Sequence, residues 1–353
     1  MQDSKTKVMI VDDSSVIRKI VGETVGSDPN LEVVDKASNG KIALDKIKIS
    51  KPDVIILDIE MPEMNGFETL KELRKTDKQT KVIMFSSMSR SSAEITLEAL
   101  SLGANDFVVK PGDASNIEDL YAKLRKELIP RIYSICRITS KTEEKVYHRI
   151  LPYPGAGSNR VDIVVVGVST GGPAALEQVI PLLPANLQVP VVIVQHMPPI
   201  FTKSLAVRLD SLSTLGVVEA TDGQEISPGN VYIAPGGKHI ILKRLDLTRT
   251  IIRTNDDPPE NSCRPAVDVL FRSAASVYGK HTLAVVMTGM GYDGTKGGKN
   301  IVDSGGQLII QDKESSVVWG MPGSVADAGL AHGIFPLDRI AREICERVSK
   351  QRN

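Results

Sequence analysis

The chain has 353 residues, enough for two ordinary domains rather than one core. Lys plus Arg and Asp plus Glu stand at 43 each, and this zero net charge excludes the basic footprint of a nucleic-acid binder or an acidic-membrane binder. Cys136, Cys263 and Cys345 are far apart, which excludes a cysteine metal cluster and suits a reducing cytosol. Met1 to Lys7 is polar, with no apolar signal core, and no apolar run approaches the ~20 residues that cross a bilayer, so a cytoplasmic protein without membrane insertion is expected.

The first half alternates short β-branched runs with helical spacing. Val8 to Val11, Val33 to Val34, Val54 to Leu57, Val82 to Phe85 and Phe107 to Val109 read as strands, and Ile17, Ile20, Val21 and Val25 mark a helix between two of them. Five strands alternating with helices mean a doubly wound parallel sheet, whose ligand sites lie at the carboxyl ends of strands. Asp12 and Asp13, Asp58, Ser86 and Lys110 each follow one of these runs. Taken singly, each is most simply a surface residue at a loop end. Together, three carboxylates on one rim call for a divalent cation, and Mg²⁺ suits oxygen ligands. With a lysine beside them they suit phosphoryl transfer onto an oxygen.

VDDS (Val11–Ser14), LDIEMPEMNG (Leu57–Gly66), FSS (Phe85–Ser87) and FVVKP (Phe107–Pro111), in that order, resemble the response-regulator receiver family over roughly the first 125 residues. The resemblance implies Asp58 as phosphoacceptor. It implies Mg²⁺ held by Asp12, Asp13, Asp58 and the backbone carbonyl of Glu60. Ser86 and Lys110 would contact the phosphoryl group, and Phe107 matches the family's rotating aromatic switch. A sensor histidine kinase would be the phosphodonor. The Lys110–Pro111 bond is a candidate cis peptide.

From residue 129 to 160 the texture turns charged and then Pro/Gly-rich, which reads as a linker between a receiver domain at 1–128 and a second domain at 161–353. In the second domain Ile163 to Val166, Val191 to Val194, Tyr232 to Ala234, Leu283 to Met287 and Leu308 to Ile310 read as strands of a mostly parallel α/β sheet. Gly167-Val168-Ser169-Thr170-Gly171 fits G-x-S-x-G, a tight strand-to-helix turn that exposes a serine oxygen. A glycine-rich turn of this kind can equally hold a phosphate. The alternative reading is therefore a phosphorylation-gated binding protein with a nucleotide- or phosphate-binding second domain, although no G-x-x-x-x-G-K-[ST] or G-x-G-x-x-G is present at the first strand.

A serine nucleophile needs a base. Of His148, His196, His239, His281 and His332, only His196 directly follows a long buried-type strand, Pro190 to Gln195; His239 is second choice, and a packed or capping role suits it better. Asp293 follows another such run in a glycine-rich loop and is the candidate acid, with an Asx-turn as its plainer explanation.

VGVSTGGP (Val166–Pro173), VQHMP (Val194–Pro198), YIAPGGKH (Tyr232–His239) and TGMGYDGTKG (Thr288–Gly297) resemble the chemotaxis protein-glutamate methylesterase family, and with the receiver motifs the resemblance spans essentially the whole chain. The order Ser, His, Asp differs from the α/β-hydrolase order. Carried over, Ser169 is nucleophile, His196 general base and Asp293 the orienting acid, with Thr170 and Met290 near the oxyanion. The hydrolase chemistry would need no cofactor. The implied substrates are glutamate methyl esters on the cytoplasmic helices of methylated chemoreceptors, with glutamine deamidation as a second activity.

Overall fold

The computed structural model describes residues 5–112, 116–136, 150–151 and 160–349. The chain divides into two compact units between residues 143 and 144. His148 and most of the expected linker lie outside the described residues.

The first unit runs β1 (Thr6–Val11), α1 (Ser15–Gly26), β2 (Leu31–Ala37), α2 (Gly40–Ser50), β3 (Val54–Asp58), α3 (Gly66–Thr76), β4 (Lys81–Ser86), α4 (Arg90–Ser101), β5 (Asp106–Val109) and α5 (Ile117–Cys136). The strands form a parallel sheet in the order β2-β1-β3-β4-β5. Every residue of β3 is buried, as a central strand covered on both faces requires. α3 starts at a capping box, in which Asn65 accepts from the Glu68 amide and Glu68 accepts from the Asn65 amide.

The expected domain boundary at 128 falls inside α5. Leu124, Leu128, Ile132 and Ile135 keep helical spacing and are buried, so apolar packing carries the helix through Pro130 to Cys136. The Lys110–Pro111 bond, a candidate cis peptide, is trans; the cis X-Pro bond among the described residues is Arg264–Pro265. Trans is the ordinary outcome for X-Pro, favoured by about 0.5–1 kcal/mol.

The second unit contains a seven-stranded sheet in the order β14-β13-β12-β6-β7-β9-β8, parallel throughout. Its strands are β6 (Ile163–Val168), β7 (Val191–Gln195), β8 (Gly216–Glu219), β9 (Asn230–Ile233), β12 (Thr282–Val286), β13 (Gln307–Gln311) and β14 (Ile334–Phe335). An antiparallel hairpin, β10 (His239–Arg244) and β11 (Thr250–Asn255), stands apart from the sheet. The helices are α6 (Gly172–Val179), α7 (Pro199–Leu212), α8 (Val267–Tyr278), α9 (Thr295–Asp303), α10 (Gly320–Asp327) and α11 (Leu337–Ser349). Val267, Leu270, Phe271 and Ala274 of α8 follow i, i+3, i+4, i+7 spacing, are fully buried, and join the apolar cluster built around the sheet.

In each sheet the chain runs one way from its first strand and later returns to that strand's other side. The switch falls between β1 and β3 in the first unit and between β6 and β12 in the second. Ligand crevices form at such points, outside the carboxyl ends of the strands.

Candidate active site and phosphoacceptor site

At the first switch point, Asp12 follows β1 and Asp58 ends β3. Asp12, Asp13 and Asp58 each offer a carboxylate oxygen within 4.8 Å of the others. Asp12 and Asp58 are buried and Asp13 is exposed. Lys110 Nζ lies 2.7 Å from Asp58 Oδ1 and 3.1 Å from Asp12 Oδ2. Neither Asp12 Oδ2 nor Asp58 Oδ2 accepts a hydrogen bond of good geometry. Two buried, unsatisfied carboxylate oxygens facing one cluster fit a hard divalent cation.

Burial pushes the Asp58 carboxyl up to about 6, against the pull of Lys110. Burial also works to lower Lys110, but the neighbouring Asp58 and Asp12 outweigh it and raise the ammonium. Gly66 sits where α3 passes Asp58; a Cβ there would lie 2.0 Å from the Asp58 carbonyl oxygen. The Ser86 hydroxyl is fully buried, donates to Ser87 O and accepts from Thr96 Oγ1. The Glu60 amide points to Asp58 Oδ1 at 3.3 Å, while its carboxylate accepts from Ser87 and Ser92. Phe107 is 8% exposed in β5.

At the second switch point, Ser169 follows β6, His196 follows β7, and Asp293 lies in the loop after β12. β6 and β7 are paired in register up to Val168 and Gln195, so Ser169 and His196 leave neighbouring strand ends on one rim. His196 Nε2 lies 2.9 Å from Asp293 Oδ2. Asp293 Oδ2 also accepts from the Val267 amide, and Oδ1 accepts from the Asp268 and Gly294 amides and from Asn261 Nδ2. The amides of Val267 and Asp268 open α8, whose positive end favours a carboxylate. Burial works against ionised Asp293, but His196 and these donors outweigh it and hold its pKa below the usual carboxylate range.

The His196 side chain is 11% exposed. Its burial would lower the imidazole, but Asp293 and Cys263 outweigh it and raise the ring from an ordinary 6.5 to about 10. With Asp293 on Nε2, the nitrogen left to receive a proton is Nδ1, which lies 3.5 Å from Cys263 Sγ. Among the described residues no hydrogen bond joins the Ser169 hydroxyl to His196. Catalytic contacts of this kind are often long before substrate binds.

The sequence motifs assign no role to four further residues of the site, two of which lie inside the motifs and two outside them. Gln195 is 2% exposed, and its Nε2 donates to Ser169 O at 3.0 Å and lies 3.4 Å from His196 O, tying the two backbones together. Gly289 packs against Ser169, and a Cβ there would lie 2.8 Å from Ser169 Cβ. Asn261 and Cys263 reach the His196–Asp293 pair from a distant turn. Gln195 ends a strand run and Gly289 lies inside the glycine-rich Thr288–Gly297 stretch, so position could flag both; Asn261 and Cys263 carry no such signal.

Thr170 is buried, and its carbonyl accepts from Thr288 Oγ1; Met290 is half-buried in the loop after β12. His239 is excluded as the base, because Nε2 lies 3.1 Å from Pro258 O and Nδ1 accepts from the Ala266 amide. His332 Nδ1 accepts from the Leu308 amide, and His281 Nδ1 lies 2.6 Å from Arg160 O. In the glycine-rich turn the Ser169 amide donates to Thr288 O and the Gly172 amide to Ser169 O, so neither amide is free to meet a phosphate.

A CheB methylesterase family model matches residues 164–344, and a response regulator receiver domain model matches residues 8–122. A protein-glutamate methylesterase/protein-glutamine glutaminase of Trichodesmium erythraeum is 48% identical over 98% of this chain and 99% of its own length. One of the same name from Thermotoga maritima is 42% identical over 99% of this chain and all of its own length. The crystal structure of the Thermotoga maritima CheB methylesterase catalytic domain, 48% identical, superposes with a TM-score of 0.52 and covers 53% of this chain and 99% of that one.

Proposed function

The chain belongs to the CheB methylesterase family and carries a response-regulator receiver domain ahead of the hydrolase, and from that premise we propose that it hydrolyses glutamate methyl esters on chemoreceptors under control of phosphorylation at Asp58. The observation that carries this reading is the buried His196–Asp293 pair on the same rim as the Ser169 turn.

The neutral His196 ring takes the Ser169 proton at Nδ1. The Ser169 oxygen attacks the ester carbonyl. Backbone donors around Thr170 and Met290 meet the oxyanion. The imidazolium, held by Asp293 on Nε2, then returns the proton to the departing methanol. Water hydrolyses the acyl-enzyme by the same route, leaving a free glutamate. Because only the neutral ring is a base, the rate climbs with pH through the His196 titration. The same steps act on a glutamine side-chain amide, releasing ammonia, and the names of the two relatives support this second activity.

In the receiver, Asp58 accepts the phosphoryl group from a sensor histidine kinase. Asp12, Asp13, Asp58 and the Glu60 carbonyl would hold Mg²⁺, which neutralises charge on the transferring group when bound. Lys110 and Ser86 contact the phosphoryl oxygens, Phe107 reports the change, and the result relieves restraint on the hydrolase. The enzyme works in the cytoplasm; among the described residues no helix is long and apolar enough to cross a membrane.

Methyl-labelled receptor incubated with wild type, Ser169→Ala and Asp58→Asn, with and without a small phosphodonor, tests both halves. Wild type should release methanol faster with phosphodonor, Asp58→Asn should release it at the basal rate only, and Ser169→Ala should release none. No release from wild type under any condition refutes the esterase reading. Stimulated Asp58→Asn refutes the control.

A further inference from the structure

The segment Glu260–Cys263 approaches the candidate base from the side opposite its strand. The Glu260 amide donates to Cys263 O and the Cys263 amide to Glu260 O, closing a narrow turn. Its two central residues, Asn261 and Ser262, have φ of 53° and 63°. Positive φ at both positions is the type I′ geometry, which glycine would adopt at least strain. Glu260 anchors the turn to α8 through two contacts with Arg272, at 2.7 and 2.6 Å.

The turn presents two side chains to the site. Asn261 Nδ2 donates to Asp293 Oδ1 at 2.8 Å and to Asp268 Oδ2 at 2.9 Å, bridging two buried carboxylates that would otherwise face each other. Cys263 Sγ lies against His196 Nδ1. One turn therefore touches both members of the pair, Asp293 through Asn261 and His196 through Cys263. A connection between β11 and α8 needs neither contact, and strain kept where it is not needed for folding points to the site it serves.

We propose that the Glu260–Cys263 turn is a positioning element of the hydrolase site: Asn261 holds Asp293 against His196 Nε2, and the Cys263 thiol rests on His196 Nδ1 and yields that nitrogen to the Ser169 hydroxyl when substrate binds. This rests on the reading of His196 as the base. Cys263 faces Nδ1 and Asp293 faces Nε2. The acids Asp268 and Glu260 and the cation Arg272 interact electrostatically with Asp293, and Lys296 with Glu260, so they surround the carboxylate that holds the ring.

The test uses the full chain, with backbone and side chain separated by choice of variant. Asn261→Gly keeps the left-handed turn and removes the amide. Asn261→Asp keeps the turn and adds a negative charge. Cys263→Ala removes the contact on Nδ1, and Cys263→Ser restores a short polar group. The His196 ring is titrated by NMR, and kcat and KM for methanol release are measured against pH. Asn261→Asp should move the ring's midpoint up by about one pH unit, because an added carboxylate favours imidazolium. Cys263→Ala should move it down, and Cys263→Ser should return it toward wild type. Asn261→Gly should lower kcat about tenfold with KM little changed, the pattern of misorientation rather than lost binding. Ring titrations matching wild type in all four variants, with kcat unchanged, overturn the proposal. The NMR arm needs no substrate, so it tests the turn even where wild type releases no methanol.

Discussion

Asp293→Asn removes the charge from His196 Nε2 while keeping the side chain's size. Asp293 is 2% exposed and His196 11%, so little water screens the pair. Without the carboxylate, burial acts on the ring with only Cys263 to oppose it, and the titration near 10 should fall well toward the ordinary 6.5. The acid limb of kcat/KM should move down with it, and more of the ring will be neutral at pH 7. The rate should nevertheless collapse, because the imidazolium formed during attack loses its counter-charge and the ring its orientation. Losing the orienting acid costs about 10⁴-fold elsewhere, equivalent to ~5.4 kcal/mol of transition-state stabilisation. Stability should change in a defined window. The folded-state titration lies above the unfolded one, so the protonated ring stabilises wild type fully below 6.5, and that contribution is lost as pH rises through about 10. Asp293→Asn should flatten this dependence in thermal melts. The assay is methanol release from labelled receptor between pH 6 and 10, with melts at the same pH values. An Asp293→Asn enzyme within tenfold of wild type, with an unmoved acid limb, refutes the role given to Asp293.

Removing divalent cations with a chelator should abolish stimulation by phosphodonor and leave basal methanol release unchanged; full stimulation without metal contradicts the cation reading of Asp12, Asp13 and Asp58. Gly289→Ala should lower kcat at least about tenfold and destabilise by roughly 1–3 kcal/mol, since its Cβ would meet Ser169 Cβ at 2.8 Å and Met321 Sδ at 2.5 Å; unchanged kcat and melting temperature would show that the rim yields freely. A receiver fragment ending at 128 should be less stable to urea than one ending at 136. It loses Ile132 and Ile135, 0% and 3% exposed, each worth about 1.5–3 kcal/mol. Equal midpoints would mean that the last turns of α5 add nothing.

The parallel strands are legible in the sequence because each is a short β-branched run ending in a polar residue, as Val54 to Leu57 ends at Asp58. The same rhythm puts Asp12, Asp58, Ser169 and His196 at strand ends from the order of residue types alone. β10 and β11 escape it because their apolar runs, Ile240 to Leu242 and Ile251 to Ile252, are only two or three residues long and pass straight into charged residues at Lys243 and Arg253. β14 has only two residues, and β8 carries just Val217 and Val218 between Gly216 and Glu219. Ring orientation at His196 is out of reach for a different reason. It depends on the α8 amides and on a turn with two left-handed residues, and contacts between residues 196, 263 and 293 leave no local pattern.

The two switch points differ in how their carboxylates are satisfied, and that difference separates their chemistry. Asp12 and Asp58 each keep an oxygen without a hydrogen bond, and burial raises Asp58 to about 6. With the Lys110 ammonium set against three carboxylates, the cluster keeps acceptor capacity to spare, as a site that accepts a cation and a phosphoryl group should. Asp293 has both oxygens engaged by amides, Asn261 and His196, and its pKa is lowered. It needs no further partner and keeps its charge through a catalytic cycle. A carboxylate saturated with donors would be a poor phosphoacceptor, and an undersatisfied one would hold a histidine poorly. Exchanging the two environments should therefore remove both functions: Lys110→Met at the first site should stop phosphodonor stimulation while leaving basal hydrolysis, whereas Asn261→Asp at the second should disturb hydrolysis while leaving Asp58 phosphorylation intact. Loss of phosphorylation in Asn261→Asp, measured with labelled phosphodonor, would refute this division of labour.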